Sequence, residues 1–262
     1  MIKHLRLWLR ALEIEFCREM AYKWNFVLKM FSLAVMDMIG PIVMLIIYST
    51  TSGIPGWSFE EFILFQGTLT LVFGLGHTLI MLFPERVITG VRKGSLDKDL
   101  VKPYNPLTYF LLTSWDIEGI AEVVVGLGLI GWAAVKLNLA IFSVNTLLYL
   151  ILIVTALVFV YSIMIIISAI AIIFVKSHSL YELFFSITRL GKYPFDIYNS
   201  GMVFFLTFIL PIGVAAFYPV EALLGKLGIL GLFKVVLPVI AFLFVSLALW
   251  NYGIKKYTSA GG

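Results

Sequence analysis

The chain has 262 residues, of which 61% are apolar and 15% aromatic, whereas only 13% carry a charge. Soluble domains carry charge on about 25% of their residues, so this composition calls for a lipid bilayer to cover the apolar surface. The single cysteine, Cys17, excludes an internal disulfide and a cysteine-based metal site. Six spans of about 20 apolar residues each would leave no length for a separate soluble domain.

The first 25 residues predict an amphipathic helix that lies in the cytoplasmic interface of the membrane. Leu5, Leu9, Leu12 and Phe16 recur at helical spacing, and charged residues occupy another face. A cleaved signal peptide is not predicted, because charged residues precede any long apolar stretch. Acidic residues in this helix disfavour the alternative of a mitochondrial-type presequence.

Six apolar runs predict six transmembrane helices, which together form a single membrane domain over residues 26–262. The runs cover residues 26–48, 62–83, 119–135, 146–175, 202–218 and 230–250. Pro211 is expected to kink the fifth span, and residues 218–231 to form an outer re-entrant or surface hairpin between the fifth and sixth spans. The predicted fold class is therefore an all-α integral membrane protein.

Lys and Arg residues indicate which side of the membrane each connector faces. Sixteen of them fall on the side of the two termini and of the second and fourth connectors, and three fall on the other side. The fourth connector contributes Lys176, Arg189 and Lys192 to the larger group. Because cytoplasmic loops carry the excess of positive charge, both termini are predicted to be cytoplasmic in a cell membrane. The net charge of +4 is thus a topology signal, and nucleic acid is not a predicted partner.

The cytoplasmic connector at residues 84–105 predicts a short helix held between the second and third spans. Gly94 can end the preceding helix in the left-handed conformation, and Ser95 can cap the next helix with Asp97 in its first turn. Pro103 can stop that helix. Such an element could transmit force from a cytoplasmic partner, and a solvated loop with ordinary positive charge is the alternative.

Motifs of nucleotide hydrolysis and proteolysis are missing from the sequence. Nothing matches the phosphate-binding run Gly-x-x-x-x-Gly-Lys-Ser/Thr. His4, His77 and His178 are scattered, so no metal site is predicted, and His77 is interpreted as a hydrogen-bonded packing residue. An integral membrane enzyme is therefore the least favoured class.

Three acidic residues fall inside predicted spans or directly before one, and a charge at mid-bilayer costs at least about 2.5 kcal/mol. Asp37 could line a water-filled path or pair with a cation of a neighbouring subunit, or it could be a protonated acid bonded to a backbone carbonyl. Glu118 and Glu122 lie one turn apart on one helix face and could belong to the same path, or could meet water and cationic groups at the interface. All three are candidate residues of a translocation path.

Several short runs occur in the order and spacing of a known family over the whole chain. They are Arg92-Lys93-Gly94-Ser95-Leu96-Asp97-Lys98-Asp99-Leu100-Val101-Lys102-Pro103, Lys192-Tyr193-Pro194, and Phe217-Tyr218-Pro219 followed by Leu223-Leu224-Gly225. In these runs the chain resembles the membrane subunits of type-2 ATP-binding-cassette exporters, a bacterial and archaeal permease family. The related pattern often has Arg in place of Lys192, which leaves the expected fold unchanged.

The resemblance implies a permease subunit of an ATP-driven exporter that works by alternating access. Two permeases, identical or homologous, would pair in the membrane, and two ATP-binding-cassette ATPase subunits carrying ATP and Mg would dock below them. This chain would then bind no cofactor and would not be catalytic alone. The implied ATPase-coupling residues are Arg92, Lys93, Ser95, Leu96, Asp97, Asp99, Leu100 and Lys102.

Two other classes of protein remain open on the residues alone. An ion- or proton-coupled secondary transporter would use Asp37, Glu118 and Glu122 as ion sites, but such folds usually carry internal repeats, and none is evident. A non-transporting subunit of a membrane complex is the other. Apolar and aromatic walls suit an amphipathic or lipid-like substrate better than a highly charged one, although helix packing requires the same residues.

Overall fold

The computed structural model describes residues 2–174, 182 and 186–258. The regular structure of these residues is helical throughout. Five helices among them are long and apolar enough to cross a membrane, namely Lys23–Thr50, Phe59–Arg92, Ile117–Lys136, Val144–Phe174 and Ile229–Lys256. The prediction of an all-α, multi-pass membrane protein is therefore confirmed.

The α-helices of the described residues are labelled in chain order. They are α1 (Ile2–Ala21), α2 (Lys23–Thr50), α3 (Phe59–Leu79), α4 (Leu82–Arg92), α5 (Asp97–Leu100), α6 (Pro106–Thr113), α7 (Ile120–Lys136), α8 (Val144–Phe174), α9 (Ser200–Phe204), α10 (Phe217–Leu223) and α11 (Ile229–Lys256). The predicted spans 26–48, 62–83, 119–135 and 230–250 fall within the observed candidate spans. The predicted span 146–175 matches α8 up to Phe174, and Val175 lies outside the described residues.

Local sequence explains where α3 and α6 begin. Ser58 accepts a hydrogen bond from the backbone of Glu61 at 3.2 Å, and the Glu61 carboxylate accepts one from the backbone of Ser58 at 2.9 Å. This reciprocal pair satisfies two backbone donors that a helix start leaves open. The Asn105 side chain caps α6 by accepting hydrogen bonds from the backbone of Leu107 and Thr108, and Pro106 occupies the first turn, where a missing N–H costs nothing.

Glycines bring the backbones of α3 and α7 into direct contact. A Cβ atom added at Gly126 would lie 2.6 Å from the backbone nitrogen of Leu71, and one at Gly74 would lie 2.7 Å from the backbone nitrogen of Val123. Gly67 and Gly119 are equally tight against the opposite helix. Small residues permit this close approach between membrane helices. We call the contacts at Gly67, Gly74, Gly119 and Gly126 the glycine seam. This seam fixes the start of α7 against the end of α3.

One face of the helix bundle carries α1, α5, α6 and the C-terminal end of α11, and we call it the α5 face. The ring of Trp250, near the end of α11, lies 5.5 Å from the ring of Phe83 and 6.4 Å from that of Phe110. The ring of Trp8 in α1 lies 5.4 Å from that of Trp115. These contacts join four elements that are distant in sequence.

The opposite face carries the N-terminal end of α3 and the segment before α11, and we call it the Trp57 face. Lys226 Nζ lies 2.9 Å from Glu61 Oε1 and 5.3 Å from the centre of the Trp57 ring. The indole Nε1 of Trp57 donates a hydrogen bond to Asp196 Oδ2 at 2.7 Å. Residues from three separate parts of the chain therefore meet at this face.

Residues 202–218, the predicted fifth span, do not form one continuous helix. A π-helical turn, Phe205–Ile209, follows α9, and after Pro211 a 3₁₀ turn, Ile212–Ala215, leads into α10. Proline lacks an N–H, and its ring disfavours helical geometry at the residue before it; Leu210 accordingly has φ −127° and ψ 85°. The prediction of a span here was wrong, because Pro211 interrupts the helix where only a kink was expected.

Lys192 lies nearer the Trp57 face than the count of Lys and Arg residues predicts. The side-chain amide of Gln66 donates a hydrogen bond to the backbone carbonyl of Lys192 at 3.0 Å. Gln66 lies in the half of α3 nearer the Trp57 face, and Asp196 is bonded to Trp57 itself. The placement of Lys192 on the same side as the termini was therefore wrong. Lys176 and His178 lie outside the described residues.

α1 packs with one face and exposes another. The apolar residues Leu5, Leu9 and Phe16 are exposed, whereas Glu15 and Glu19 are buried. Burial raises the pKa of Glu15 to about 7, and the nearby Arg18 opposes the rise. The exposed apolar stripe fits the predicted interfacial helix, and the acidic packed face is a feature that the sequence pattern did not reveal.

Candidate functional site

A cavity of about 990 Å³ opens between α2, α3, the start of α4 and the segment 188–193. Pockets of about 300–1,000 Å³ hold drug-sized ligands. Its polar lining includes Asp37, Gln66, His77, Asp116, Glu122 and Lys192. Two of the three predicted path residues, Asp37 and Glu122, therefore face the same space.

His77 is held between two carboxyl groups beside this cavity. Its Nδ1 lies 3.0 Å from Glu122 Oε1, and its Nε2 lies 3.3 Å from Asp116 Oδ2. Because both ring nitrogens face carboxylates, the ring has no nitrogen left for a metal. Among the described residues there is no group of three His, Cys, Asp or Glu residues that could hold a metal ion. The interpretation of His77 as a hydrogen-bonded residue is confirmed.

Two local features place Asp116 and Glu122 around the histidine. The backbone N–H of Asp116 donates to the carbonyl of Thr78 at 3.0 Å, and its Oδ1 caps the following 3₁₀ turn by accepting from the backbone of Glu118 at 3.0 Å. That leaves Oδ2 for His77. Glu122 lies in the first turn of α7, where the close contact at Gly74 holds it beside α3. Sequence reasoning had passed over Asp116.

Glu118 points away from this cluster. Its carboxylate lies 2.6 Å from Lys29 Nζ, in an ion pair that joins the start of α2 to the turn before α7. The two predicted partners one helical turn apart, Glu118 and Glu122, are thus separated by the structure. Glu118 ties two helices together at the α5 face, and Glu122 lines the cavity.

Asp37 lies on α2, across the cavity from the His77 cluster. Its Oδ2 is buried and has no hydrogen-bond partner among the described residues. One turn further, Gly40 permits the approach of Gln66, whose side-chain oxygen would lie 3.3 Å from a Cβ at that position. Asp37 therefore lines the cavity with a carboxylate oxygen that no protein group among the described residues hydrogen-bonds.

On the α5 face, residues 92–102 form a turn that contains α5 and is held by internal contacts, and we call it the α5 turn. Gly94 has φ +64°, the left-handed conformation predicted for the end of the preceding helix. The backbone N–H groups of Ser95 and Leu96 both donate to the carbonyl of Gly90, and the Leu96 side chain is fully buried. The predicted Ser95 cap is wrong, since Leu96 precedes α5 and no side chain caps it. Backbone bonds to Gly90 define this turn instead.

Exposure divides the predicted coupling residues into two groups. Arg92 and Lys93 are exposed. Two residues of the same segment that were not in the predicted set, Lys98 and Val101, are exposed as well, and the apolar side chain of Val101 is 82% exposed. Lys102 is held by Asp99 Oδ1 and by the hydroxyl of Tyr109, each at 2.6 Å. Leu96 and Leu100 pack inward. The exposed surface of this turn is thus basic, and Val101 is its one exposed apolar side chain among those described above.

Arg86 ties α4 to the residues that lead to the His77 cluster. Its Nη1 donates to the Thr113 carbonyl at 2.7 Å, to the Thr113 hydroxyl at 2.8 Å and to the Ser114 hydroxyl at 3.2 Å. Its guanidinium also lies 5.4 Å from the ring centre of Phe110. Arg86 therefore joins α4 to the end of α6, two residues before Asp116.

Comparison with known proteins identifies the family. Neither a curated protein nor a solved structure matches the chain. A family model described as "ABC-2 family transporter protein" matches residues 31–261, which include the cavity and the α5 turn. The match covers most of the 262 residues. This multi-pass membrane protein therefore belongs to the ABC-2 family of transporter proteins, as a membrane subunit.

Proposed function

We propose that this chain is the permease subunit of an ATP-driven exporter, with the cavity as part of its translocation path. A separate ATP-binding-cassette ATPase, which carries ATP and Mg, supplies the energy. The observation that carries the proposal is the connection between the two sites. α4 begins at the cavity, where Leu82 and Glu85 line the wall, and ends at the α5 turn.

The α5 turn is the docking element in this proposal. Its exposed basic and apolar side chains, Arg92, Lys93, Lys98 and Val101, contact the ATPase. Leu96, Leu100 and Lys102 hold the turn in shape from within. Asp97 and Asp99 are partly exposed and stand at the edge of the contact. A rigid turn passes the displacement of the ATPase on to α4, because the contacts within the turn stay intact while the turn moves.

Transport proceeds by alternating access in a pair of permeases, which are identical or homologous chains. Movement of the docked ATPases tilts α4 and with it α3, and so opens the cavity to one face and then to the other. The exposed apolar surface of α2, with Phe31, Val35 and Ile42 among its residues, is available to lipid or to the second permease.

The membrane topology that accompanies this function has six crossings, with both termini and the α5 face in the cytoplasm. Five crossings are the candidate spans. Phe174, at the end of α8, and Asp196, at the Trp57 face, lie on opposite sides of the membrane in this topology, and this gives the sixth crossing. Residues 200–223, broken at Pro211, form a re-entrant segment on the outer side, which overlaps the hairpin predicted at residues 218–231 only over residues 218–223. The basic residues of α1 and the α5 turn support this orientation.

Reconstitution with the partner ATPase tests the proposal. We expect the permease alone to hydrolyse no ATP and the complex to gain vanadate-sensitive ATPase activity and transport. Val101→Asp should weaken ATPase binding about tenfold or more, because a charge replaces an apolar contact in an interface core. Ile141→Asp is the matched control, since Ile141 is 74% exposed in the α7–α8 connector at the Trp57 face. Equal ATPase binding by both variants would contradict the docking assignment.

A proton- or ion-coupled secondary transporter is the second candidate function. The arrangement of His77 between Asp116 and Glu122 favours it, because such clusters in membrane helices often serve as proton relays. Flux into proteoliposomes distinguishes the two functions. Flux that stops without ATP supports the exporter, and flux that follows an imposed proton gradient in the absence of any ATPase supports the secondary transporter.

A further inference from the structure

The cavity combines an apolar wall with an excess of acidic groups. Methionine and aromatic side chains, including Met36, Met44, Phe73 and Met81, cover much of its surface. Thioether and aromatic groups adapt to ligands of varied shape, and aromatic faces attract cations. The lining therefore suits a bulky apolar body.

The charges in the lining favour a positive ligand. Its carboxyl groups are Asp37, Glu85, Asp116 and Glu122, whereas His77 and Lys192 are its cationic side chains. Even with His77 protonated, carboxylates outnumber cations by two to one. Two of the acids, Asp116 and Glu122, are already engaged with His77. The excess therefore rests on the other carboxylates.

Asp37 is the carboxylate best placed to meet a ligand charge. Asp37 lines the cavity from α2, and its Oδ2 is buried and has no hydrogen-bond partner among the described residues. A buried carboxylate oxygen without a partner loses its hydration and gains nothing in return. Lys192 does not supply the missing bond, because its side chain is exposed at the rim.

We propose that the cavity binds hydrophobic organic cations with a single positive charge, and that Asp37 is the counter-charge. The charge of the ligand lies at Asp37, and its apolar body lies against the methionine and aromatic wall. This inference rests on the proposed function, since it names the substrate class of the same path. It excludes organic anions of equal size and shape.

Tetraphenylphosphonium and tetraphenylborate form the decisive ligand pair, because they have nearly the same shape and opposite charge. The binding of each ion is measured by equilibrium dialysis against the purified full chain in detergent, and the uptake by empty micelles is subtracted. We expect saturable binding of the phosphonium and none of the borate. Asp37→Asn should weaken phosphonium binding about tenfold. Glu60→Gln removes a carboxylate outside the cavity and should leave binding unchanged.

Equal binding of the two ions, or unchanged affinity in Asp37→Asn, would overturn the inference. If Asp37→Asn does not fold, the wild-type comparison of the two ions decides, and Asp37→Glu, which keeps the charge, should retain binding. Vanadate-sensitive ATPase activity of the complex is measured separately. Its presence without phosphonium binding removes only the substrate class, and its absence with phosphonium binding removes only the exporter.

Discussion

His77 Nδ1 lies 3.0 Å from the carboxylate of Glu122, although 45 residues separate the two in sequence. The pair joins α3 to α7 at the end of the glycine seam, and Asp116 completes it on the other ring nitrogen. Loss of His77 would leave the Glu122 carboxylate inside the helix bundle without a hydrogen-bond partner. The cluster is therefore both a structural tie and part of the cavity wall.

A double-mutant cycle tests the energetic role of the pair. His77→Leu should lower the free energy of unfolding by about 1–3 kcal/mol, because Glu122 and Asp116 lose their hydrogen-bond partner. Addition of Glu122→Leu should recover part of that loss, since the unpaired carboxylate is then removed. Unfolding in mixed micelles, followed by circular dichroism, measures both. Strictly additive effects of the two substitutions would show that the residues do not interact.

The α3–α7 seam should tolerate no side chain at Gly126. Gly126→Leu drives a side chain into the backbone of α3, where a Cβ alone would lie 2.6 Å from the Leu71 nitrogen. We expect a loss of about 1–3 kcal/mol or more in stability. Gly128→Leu, two residues further on the same helix, meets nothing within 4 Å and should change stability by about 0.5 kcal/mol or less. Thermal unfolding of the two variants in the same detergent gives the comparison, and a tolerated Gly126→Leu would refute the seam.

Arg86 should hold the end of α6 in place. Arg86→Met removes three hydrogen bonds to Thr113 and Ser114, and we expect amide hydrogen exchange in residues 106–116 to accelerate about 5- to 30-fold. Arg92→Met is the control, because Arg92 lies at the end of the same helix with an exposed side chain. Exchange that is equally fast in wild type and Arg86→Met would mean that Arg86 does not brace this segment.

Hydrophobic length and charge were sufficient to predict most of the membrane helices. The predicted spans 26–48, 62–83, 119–135 and 230–250 fall within observed candidate spans, because a run of about 20 apolar residues has few alternatives to a helix in lipid. The left-handed Gly94 was also predictable, since glycine is the residue that ends helices in this way. These features depend on residues close together in sequence.

The errors arose where distant residues decide the structure. Residues 202–218 are as apolar as a span, but Pro211 breaks them, and their position beside α8 and α3 depends on packing that hydropathy does not encode. Lys192 was assigned to a side of the membrane by its charge, whereas a hydrogen bond from the side-chain amide of Gln66, 126 residues away, to its backbone carbonyl sets its place. Asp116 was overlooked because its partner His77 lies in another helix. A pairing across helices leaves no periodic signal in one sequence.

The docking of α1 should weaken as pH rises. Burial raises the pKa of Glu15 from 4.5 to about 7, so the docked helix favours the neutral acid. The resulting stabilisation is full below pH 4.5 and is lost as pH rises through about 7. A spin label on Cys17, which is exposed on the same helix, should become more mobile over this range. Glu15→Gln should remove the pH dependence, and an identical pH response in this variant would assign the effect to another group.

In the proposed function a cytoplasmic ATPase acts on the α5 turn, so this turn must face the cytoplasm. In a Cys17→Ser background, Lys98→Cys and Ile141→Cys place single thiols at exposed positions on opposite faces of the bundle. A membrane-impermeant maleimide applied to intact cells should label Ile141→Cys at once and Lys98→Cys only after permeabilisation. Labelling of Lys98→Cys in intact cells, with Ile141→Cys protected, would place the α5 turn outside the cell and contradict the account.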